Sequence, residues 1–361
     1  MTTAQLLDIP ARPDVDVESG VERLKAWWVA LAVLLLAACA IAGLLIGPAG
    51  LSMRGILTEI ASHIPFLDVH SRLDGQSSTI LWQLRAPRVA LGAIVGASLA
   101  MAGSAYQGAF RNPLADPYLL GVAAGAGLGA TIVIVFHSQG TSSNLLPLAA
   151  FVGGLAAVAL TYGLGRSRVG DRSAASLLLA GVTIAAFLTA VETFFQQWKW
   201  ESLQQVYSFI LGGLAGAEWS QVWLVAPYVI VSSIALLLCS RRLDVLTVGD
   251  AEAESLGVNA RRLRFVIVVS ATILTASAVA VAGLIGFIGI IVPHAVRLMT
   301  RGASSRVLMP LAALAGAVFL IGCDLIAKSA LAPAELPIGV VTAFFGAPFF
   351  LVVLRTSRGV A

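Results

Sequence analysis

Long apolar windows, separated by short polar or charged stretches, dominate the pattern of this chain. They occupy residues 26–47, 89–108, 118–136, 145–164, 175–195, 222–239, 265–281, 283–299, 307–326 and 338–354. A helix that crosses the hydrocarbon core of a membrane needs about 20 apolar residues. The pattern therefore predicts an all-α polytopic membrane protein with roughly ten transmembrane helices.

The stretch 265–299 is the one place where the division into helices is ambiguous. It is almost continuously apolar, but residues that break or loosen helices interrupt it at Gly283, Gly286, Gly289 and Pro293. The basic residues favour two spans. With ten spans and both termini in the cytoplasm, about 17 of the 23 Lys and Arg residues fall on the cytoplasmic side, as the positive-inside rule expects. A single merged span would place Arg297, Arg301 and Arg306 outside.

Composition excludes an ordinary soluble domain. The chain is 58% hydrophobic and 12% charged with a mean hydropathy of +0.91, whereas about 25% of the residues in a soluble domain are charged. The net charge of +4 is explained by cytoplasmic loops that face anionic lipid, and no basic and aromatic cluster indicates nucleic acid. We expect a polar cytoplasmic tail over residues 1–25 and a transmembrane domain over residues 26–361.

Four motifs stand between the apolar windows. They are Arg85-Ala-Pro-Arg88, Arg111-Asn-Pro-Leu-Ala-Asp-Pro117, Gly286-Phe-Ile-Gly-Ile-Ile-Val-Pro-His294 and Glu335-Leu-Pro-Ile-Gly339. From about Trp82 to Arg355 the chain resembles the FecCD-type permease subunits of ABC importers for iron-siderophores, haem and cobalamin.

The resemblance implies a homodimeric permease in the bacterial cytoplasmic (inner) membrane, with the pathway between the protomers. The implied partners are a second copy of the chain, two ABC ATPase subunits, and a substrate-binding lipoprotein or periplasmic binding protein. ATP and Mg would bind the ATPase subunits, and this chain would hold no cofactor. Among the possible cargoes we rank ferric siderophore first, then haem or cobalamin.

The sequence offers no catalytic set. A P-loop requires Gly-x-x-x-x-Gly-Lys-Ser/Thr, and the nearest match, from Gly322 to Ser329, lacks the second glycine and lies at the end of an apolar span. The four histidines are too scattered to suggest a metal site. We therefore predict a subunit that is not itself an enzyme and that depends on a separate ATPase.

A docking element for that ATPase is predicted in the basic cytoplasmic loop 240–264. Its acidic part, residues 250–259, alternates acidic and small residues and contains a glycine able to end a short helix. By resemblance, this loop forms short coupling helices. The contact residues carried over are Glu252, Ala253, Ser255, Leu256, Gly257 and Val258. A solvated connector is the alternative.

Basic residues at the external mouth of the permease violate the positive-inside rule and suggest an acidic partner. By resemblance, Arg85, Arg88 and Lys328 receive glutamates of the binding protein. The alternative is that these side chains reach up to lipid headgroups. Lys328 stands where the family has arginine, and lysine does not form the same bidentate pair with a carboxylate.

Two further features concern the pathway. By resemblance, the turn that opens the fifth span places Ala174, Ala175 and Ser176 at the cytoplasmic gate. Glu192 and Asp324 lie near membrane depth, where a charge costs about 2.5–3.5 kcal/mol, so each should face a partner or water. Asp324 and Lys328 are four residues apart on a helix, so mutual pairing is favoured over a proton relay. An ion-coupled secondary transporter remains the main alternative function.

Overall fold

The computed structural model describes residues 26–47, 49–63, 70–137, 144–165, 174–300 and 303–357. Over these residues the fold is helical, and the β pairing is limited to an isolated bridge between Leu331 and Ala334. The helices are α1 (Ala26–Leu45), α2 (Met53–Ser62), α3 (Gly75–Thr79), α4 (Ala86–Ala109), α5 (Val122–Phe136), α6 (Leu145–Leu164), α7 (Ala174–Trp198), α8 (Leu203–Leu211), α9 (Trp219–Val248), α10 (Asp250–Ser255), α11 (Ala260–Ala282), α12 (Ile288–Met299), α13 (Ser305–Ser329) and α14 (Ile338–Ser357).

Seven helical stretches among the described residues are long and apolar enough to cross a membrane. They are Trp27–Leu45, Gly75–Ala109, Leu145–Leu164, Ser176–Trp198, Trp219–Val248, Ala260–Ala282 and Ser305–Ser329. Three shorter apolar helices cover Val122–Phe136, Ile288–Met299 and Ile338–Val353. The prediction of an all-α protein with many membrane spans is thus confirmed.

The ambiguous stretch 265–299 is divided into two helices. Helix α11 ends at Ala282, α12 begins at Ile288, and both Gly283 (φ 69°) and Phe287 (φ 70°) have positive φ angles. Backbone groups around the break bond to other segments: the Leu284 N–H donates to the Phe209 carbonyl, and the Gly213 N–H donates to the Ala282 carbonyl at 2.9 Å. The Ile338 N–H also donates to the Gly212 carbonyl, so α8, α11 and α14 meet here.

Helix α4 is the centre of the bundle and packs against α13, α11, α9 and α12. Its small residues permit this packing, since a Cβ on Gly96 would collide with the Gly316 carbonyl of α13, and one on Gly103 would collide with the Gly289 carbonyl of α12. Such close approach supplies the van der Waals contact that holds helices together in lipid. By contrast, α1 and α7 bury little of their apolar surface within the described chain.

The segment between α1 and α4 is organised by one buried carboxylate. Glu59 of α2 accepts hydrogen bonds from Ser71, from the Ser78 hydroxyl at 2.8 Å and from the Trp82 indole N–H at 3.0 Å. Hydrogen bonds from the two serines lower the pKa of the Glu59 carboxyl. This network fixes α2 against the turn that leads into α4.

Candidate functional site

Arg85 lies in a π-helical turn, Ile80–Arg85, directly before α4. Its side chain is buried and donates to the carbonyls of Leu44 at 2.7 Å and Leu45 at 3.0 Å, and to that of Ala49. The first two carbonyls belong to the last turn of α1, where no helical N–H remains to satisfy them. A cation at the negative end of a helix is also favoured electrostatically. Arg85 therefore joins the end of α1 to the start of α4.

Arg88, in the first turn of α4, is held between two carboxylates. Its Nε and Nη2 donate to Asp324 of α13 at 2.8–3.1 Å. Its Nη1 and Nη2 donate to Glu335, in the loop before α14, at 2.8 and 2.9 Å. The Asp324 side chain is 4% exposed and that of Glu335 is 31% exposed. The hydrogen bond from Arg88 lowers the pKa of the Glu335 carboxyl.

Lys328 belongs to the same group of charges. Its Nζ donates to the Gly43 carbonyl of α1 at 2.9 Å and lies 3.9 Å from Asp324 Oδ2. The predicted pair of Asp324 and Lys328 is thus present, but Arg88 is the closer partner of Asp324. We call Arg85, Arg88, Asp324, Lys328 and Glu335 the arginine cluster.

The three residues predicted to dock a binding protein therefore do come together, at one end of α1, α4 and α13. In this conformation Arg85 and Lys328 are buried against backbone carbonyls, and Arg88 is paired with internal acids. Docking by these residues stays a prediction. The sequence reasoning did not assign a role to Glu335, although the motif that contains it was recognised.

The predicted coupling element forms a short helix, α10, that begins at Asp250 in the segment 240–264. The Val258 N–H donates to the Ala253 carbonyl at 2.8 Å and the Gly257 N–H to that of Glu254 at 2.9 Å, with Gly257 at φ 76°. This is the Schellman arrangement, in which glycine supplies the left-handed residue that ends a helix. The expectation that Gly257 ends a short helix is confirmed.

The six predicted contact residues differ in exposure. Ala253 is fully buried and supports α10 from beneath. Glu252, Ser255 and Gly257 are exposed, Val258 is half-buried, and Leu256 is 69% exposed. An isolated exposed leucine is common on proteins, but here it lies in the hydrogen-bonded turn that ends α10. The surface offered to a partner is therefore small, acidic and centred on one apolar side chain.

The predicted gate residues lie at the start of α7. Helix α7 begins at Ala174, and the side chains of Ala174 and Ala175 lie outside the described residues. The Ser176 hydroxyl donates to the Gly165 carbonyl at 3.4 Å. A role at a gate remains a prediction.

Glu192, the second acid near membrane depth, is buried in α7 among neutral partners. It accepts hydrogen bonds from the Thr131 hydroxyl at 3.2 Å and the Gln196 amide at 3.3 Å. In the part of the chain that the structure describes, no group of three or more His, Cys, Asp or Glu residues could hold a metal ion.

The many apolar helices of the bundle define the class of polytopic membrane proteins to which permeases belong. The chain matches the FecCD transport family over residues 33–356, and it belongs to that family as the transmembrane permease subunit of an ABC transporter. It is 41% identical over 279 residues to the cobalamin import system permease BtuC of Halobacterium salinarum, covering 77% of this chain and 74% of the relative.

Other relatives carry different cargo names. The hemin transport system permease HmuU of Yersinia pestis is 40% identical over 287 residues, covering 77% of this chain and 84% of the relative. The Fe(3+)-citrate import system permease YfmE of Bacillus subtilis is 36% identical, with 78% and 84% coverage. A solved inward-facing structure of a metal-chelate type ABC transporter matches with a TM-score of 0.79 at 30% identity, covering 92% of this chain and 99% of that one.

Proposed function

We propose that this permease subunit imports a bulky metal chelate through an ATP-driven complex in the bacterial cytoplasmic membrane. Ferric siderophore is the first candidate cargo, with haem and cobalamin next. The relatives described above are named for the import of cobalamin, hemin and Fe(3+)-citrate, which supports a metal chelate as the class of cargo. The observation that supports the ATP-driven mechanism is α10, a short helix with a hydrogen-bonded C-terminal cap that presents Leu256 from the basic segment 240–264. A secondary transporter would have no use for this element.

Ten spans with both termini in the cytoplasm fit the helices that the structure describes. Seven long apolar helices and three shorter ones correspond to the ten apolar windows. Helix α12 has 12 residues and is about 18 Å long, short of a hydrocarbon core of about 30 Å. Residues 283–287 are not helical and can add about 16 Å if extended, so the two together can cross the membrane.

A second copy of the chain is the partner proposed for the exposed faces of α7 and α14. Leu179, Phe187 and Phe344 are 70%, 64% and 78% exposed. Both helices bury little within one protomer, so a homodimer with the pathway along α7 would cover them. In this arrangement Ala174, Ala175 and Ser176 lie at the cytoplasmic gate.

Docking of an acidic binding protein is proposed at the arginine cluster, and it requires a carboxylate of the partner to replace an internal acid on Arg88. A partner carboxylate can reach Arg88 only by displacing one internal acid, and Glu335 is the more exposed of the two. Two ATPase subunits would bind at α10 and hold ATP and Mg, while this chain binds no cofactor.

The test is uptake into proteoliposomes that contain the permease with its cognate ATPase and enclosed ATP. Binding protein loaded with radiolabelled ferric siderophore, haem or cobalamin is supplied outside. We expect uptake of one chelate that requires ATP and stops with a non-hydrolysable analogue. Uptake driven by a proton or sodium gradient without the ATPase would refute the proposal and favour a secondary transporter.

A further inference from the structure

One buried arginine connects the coupling element to the central helix. Arg264, in the second turn of α11, is 9% exposed. Its Nη2 donates to both carboxylate oxygens of Asp250, at 3.0 and 3.1 Å, and its Nε donates to the carbonyl of Ala109 at 3.2 Å. Asp250 is the first residue of α10 and Ala109 the last of α4. The guanidinium therefore bridges the start of one helix and the end of the other.

The carbonyl of Ala109 is available because of how α4 ends. The N–H groups of Phe110, Arg111 and Asn112 donate to the carbonyls of Tyr106, Gly108 and Gln107, and none of the three goes to Ala109. The last four carbonyls of a helix lack helical partners and carry its negative dipole charge. Among the described residues, Arg264 is thus the donor to this carbonyl, and it places a cation at the negative end of α4.

A second arginine, at the end of α4, also pairs with Asp250. Arg111 Nη2 lies 3.4 Å from Asp250 Oδ1, and the Arg111 backbone adopts φ 50°. That left-handed conformation is uncommon for a residue with a side chain. Asp250 thus faces two cations, one from the α4 end and one from α11. We call Ala109, Arg111, Asp250 and Arg264 the coupling junction.

We propose that Arg264 is a positioning residue that locks α10 onto the end of α4, so that movement of α10 is passed to the central helix. This rests on the proposed function of α10 as the ATPase contact. Helix α4 runs from the coupling junction to Arg88, and its 24 residues span about 36 Å. One rigid element thus connects the two ends of the permease.

The planar fork of arginine is what the geometry requires. One nitrogen must reach the Ala109 carbonyl while another pairs with a carboxylate, and a lysine ammonium is a point charge on a flexible stem. Arg264→Lys should therefore keep the charge but loosen α10. Exchanging the charges, with Asp250→Arg and Arg264→Asp together, restores an ion pair but turns a carboxylate toward the negative end of α4. The exchange also sets the arginine introduced at position 250 beside Arg111, so the coupling junction predicts no rescue.

The first measurement needs only the full-length chain in nanodiscs. Hydrogen–deuterium exchange of the α10 amides is compared between wild type, Arg264→Lys, Arg264→Met and the charge exchange. We expect at least tenfold faster exchange in α10 in all three, with α11 unchanged. Arg261→Met is the matched control, because Arg261 is an exposed arginine in the first turn of α11. If the Arg264→Met variant fails to fold, the Asp250→Asn variant is measured in its place. Unchanged α10 exchange, or rescue by the charge exchange, would overturn the proposal.

The second measurement uses the complex with its ATPase in proteoliposomes. Arg264→Lys should lower the amount of chelate transported per ATP at least threefold while the ATPase still binds, and Arg261→Met should not. A proportional fall in ATPase activity and transport, with the ratio unchanged, would contradict the positioning role. If wild type shows no ATP-dependent transport, the proposed function fails, and the exchange measurement still decides whether Arg264 holds α10.

Discussion

Asp324→Asn is expected to destabilise the folded bundle by about 3 kcal/mol. The change keeps the size of the side chain but replaces the carboxylate with a neutral amide. That carboxylate accepts hydrogen bonds from Nε and Nη2 of Arg88 at 2.8–3.1 Å. Breaking a buried ion pair by removing one partner costs about 3–5 kcal/mol. The lower end applies because Glu335 still pairs with Arg88, whose side chain is 13% exposed.

The assay is reversible unfolding of the purified permease, by steric trapping or by SDS in mixed micelles, arranged as a double-mutant cycle. Arg88→Met removes the cation but keeps much of the apolar stem, so the double variant carries no unpaired charge from this pair. We expect a coupling energy of at least about 1.5 kcal/mol between positions 88 and 324, within the range seen for contacting residues. Glu201→Gln, at an exposed position, serves as the control and should change stability by no more than about 0.5 kcal/mol. A coupling energy below about 0.5 kcal/mol would refute the reasoning.

Three further predictions concern the rest of the bundle. Leu256→Glu should leave stability within about 0.5 kcal/mol but weaken ATPase binding at least tenfold, measured by co-purification and titration; normal binding would remove α10 from the interface. Glu335 has a lowered pKa in the folded protein, so its charge stabilises the fold above the unfolded pKa near 4.5. This stabilisation is lost as the pH falls through the folded pKa. The wild type and Glu335→Gln should therefore differ in stability at pH 7 and converge in acid. Gly103→Val should lower the free energy of unfolding by about 3 kcal/mol, since the introduced side chain meets the Gly289 backbone. Gly163→Ala, with open space around the position, should leave stability unchanged or raise it.

The hydrophobic pattern was sufficient to predict the apolar helices and the break at Gly283, because both depend on residues close in sequence. The partners in the arginine cluster could not be found this way. The rule for helix neighbours correctly brought Lys328 near Asp324, but Arg88 is 236 residues away in sequence and is the closer partner. That pairing depends on how α4 and α13 pack, which no local pattern encodes.

The roles of the arginines illustrate the same limit. Their unusual position predicted an acidic partner, and Arg88 has acidic partners, but these are within the chain. Arg85 instead satisfies carbonyls at the end of α1, and Arg264 satisfies one at the end of α4 while it also pairs with Asp250. Where a helix ends can be read from glycine and proline, as at Gly257, but which distant side chain will satisfy its last carbonyls cannot.

The break between α11 and α12 has a consequence for how the chain enters the membrane. Its backbone groups bond to Phe209 and Gly213, and the Ile285 carbonyl accepts a hydrogen bond from the Tyr118 hydroxyl at 3.0 Å. All three partners precede the break in the chain and are synthesised before it. Unsatisfied backbone groups are costly in lipid, and the ribosome synthesises this non-helical segment only after the groups that satisfy it. A chain that ends after α12 can therefore insert the break, whereas a chain without α8 exposes it to lipid.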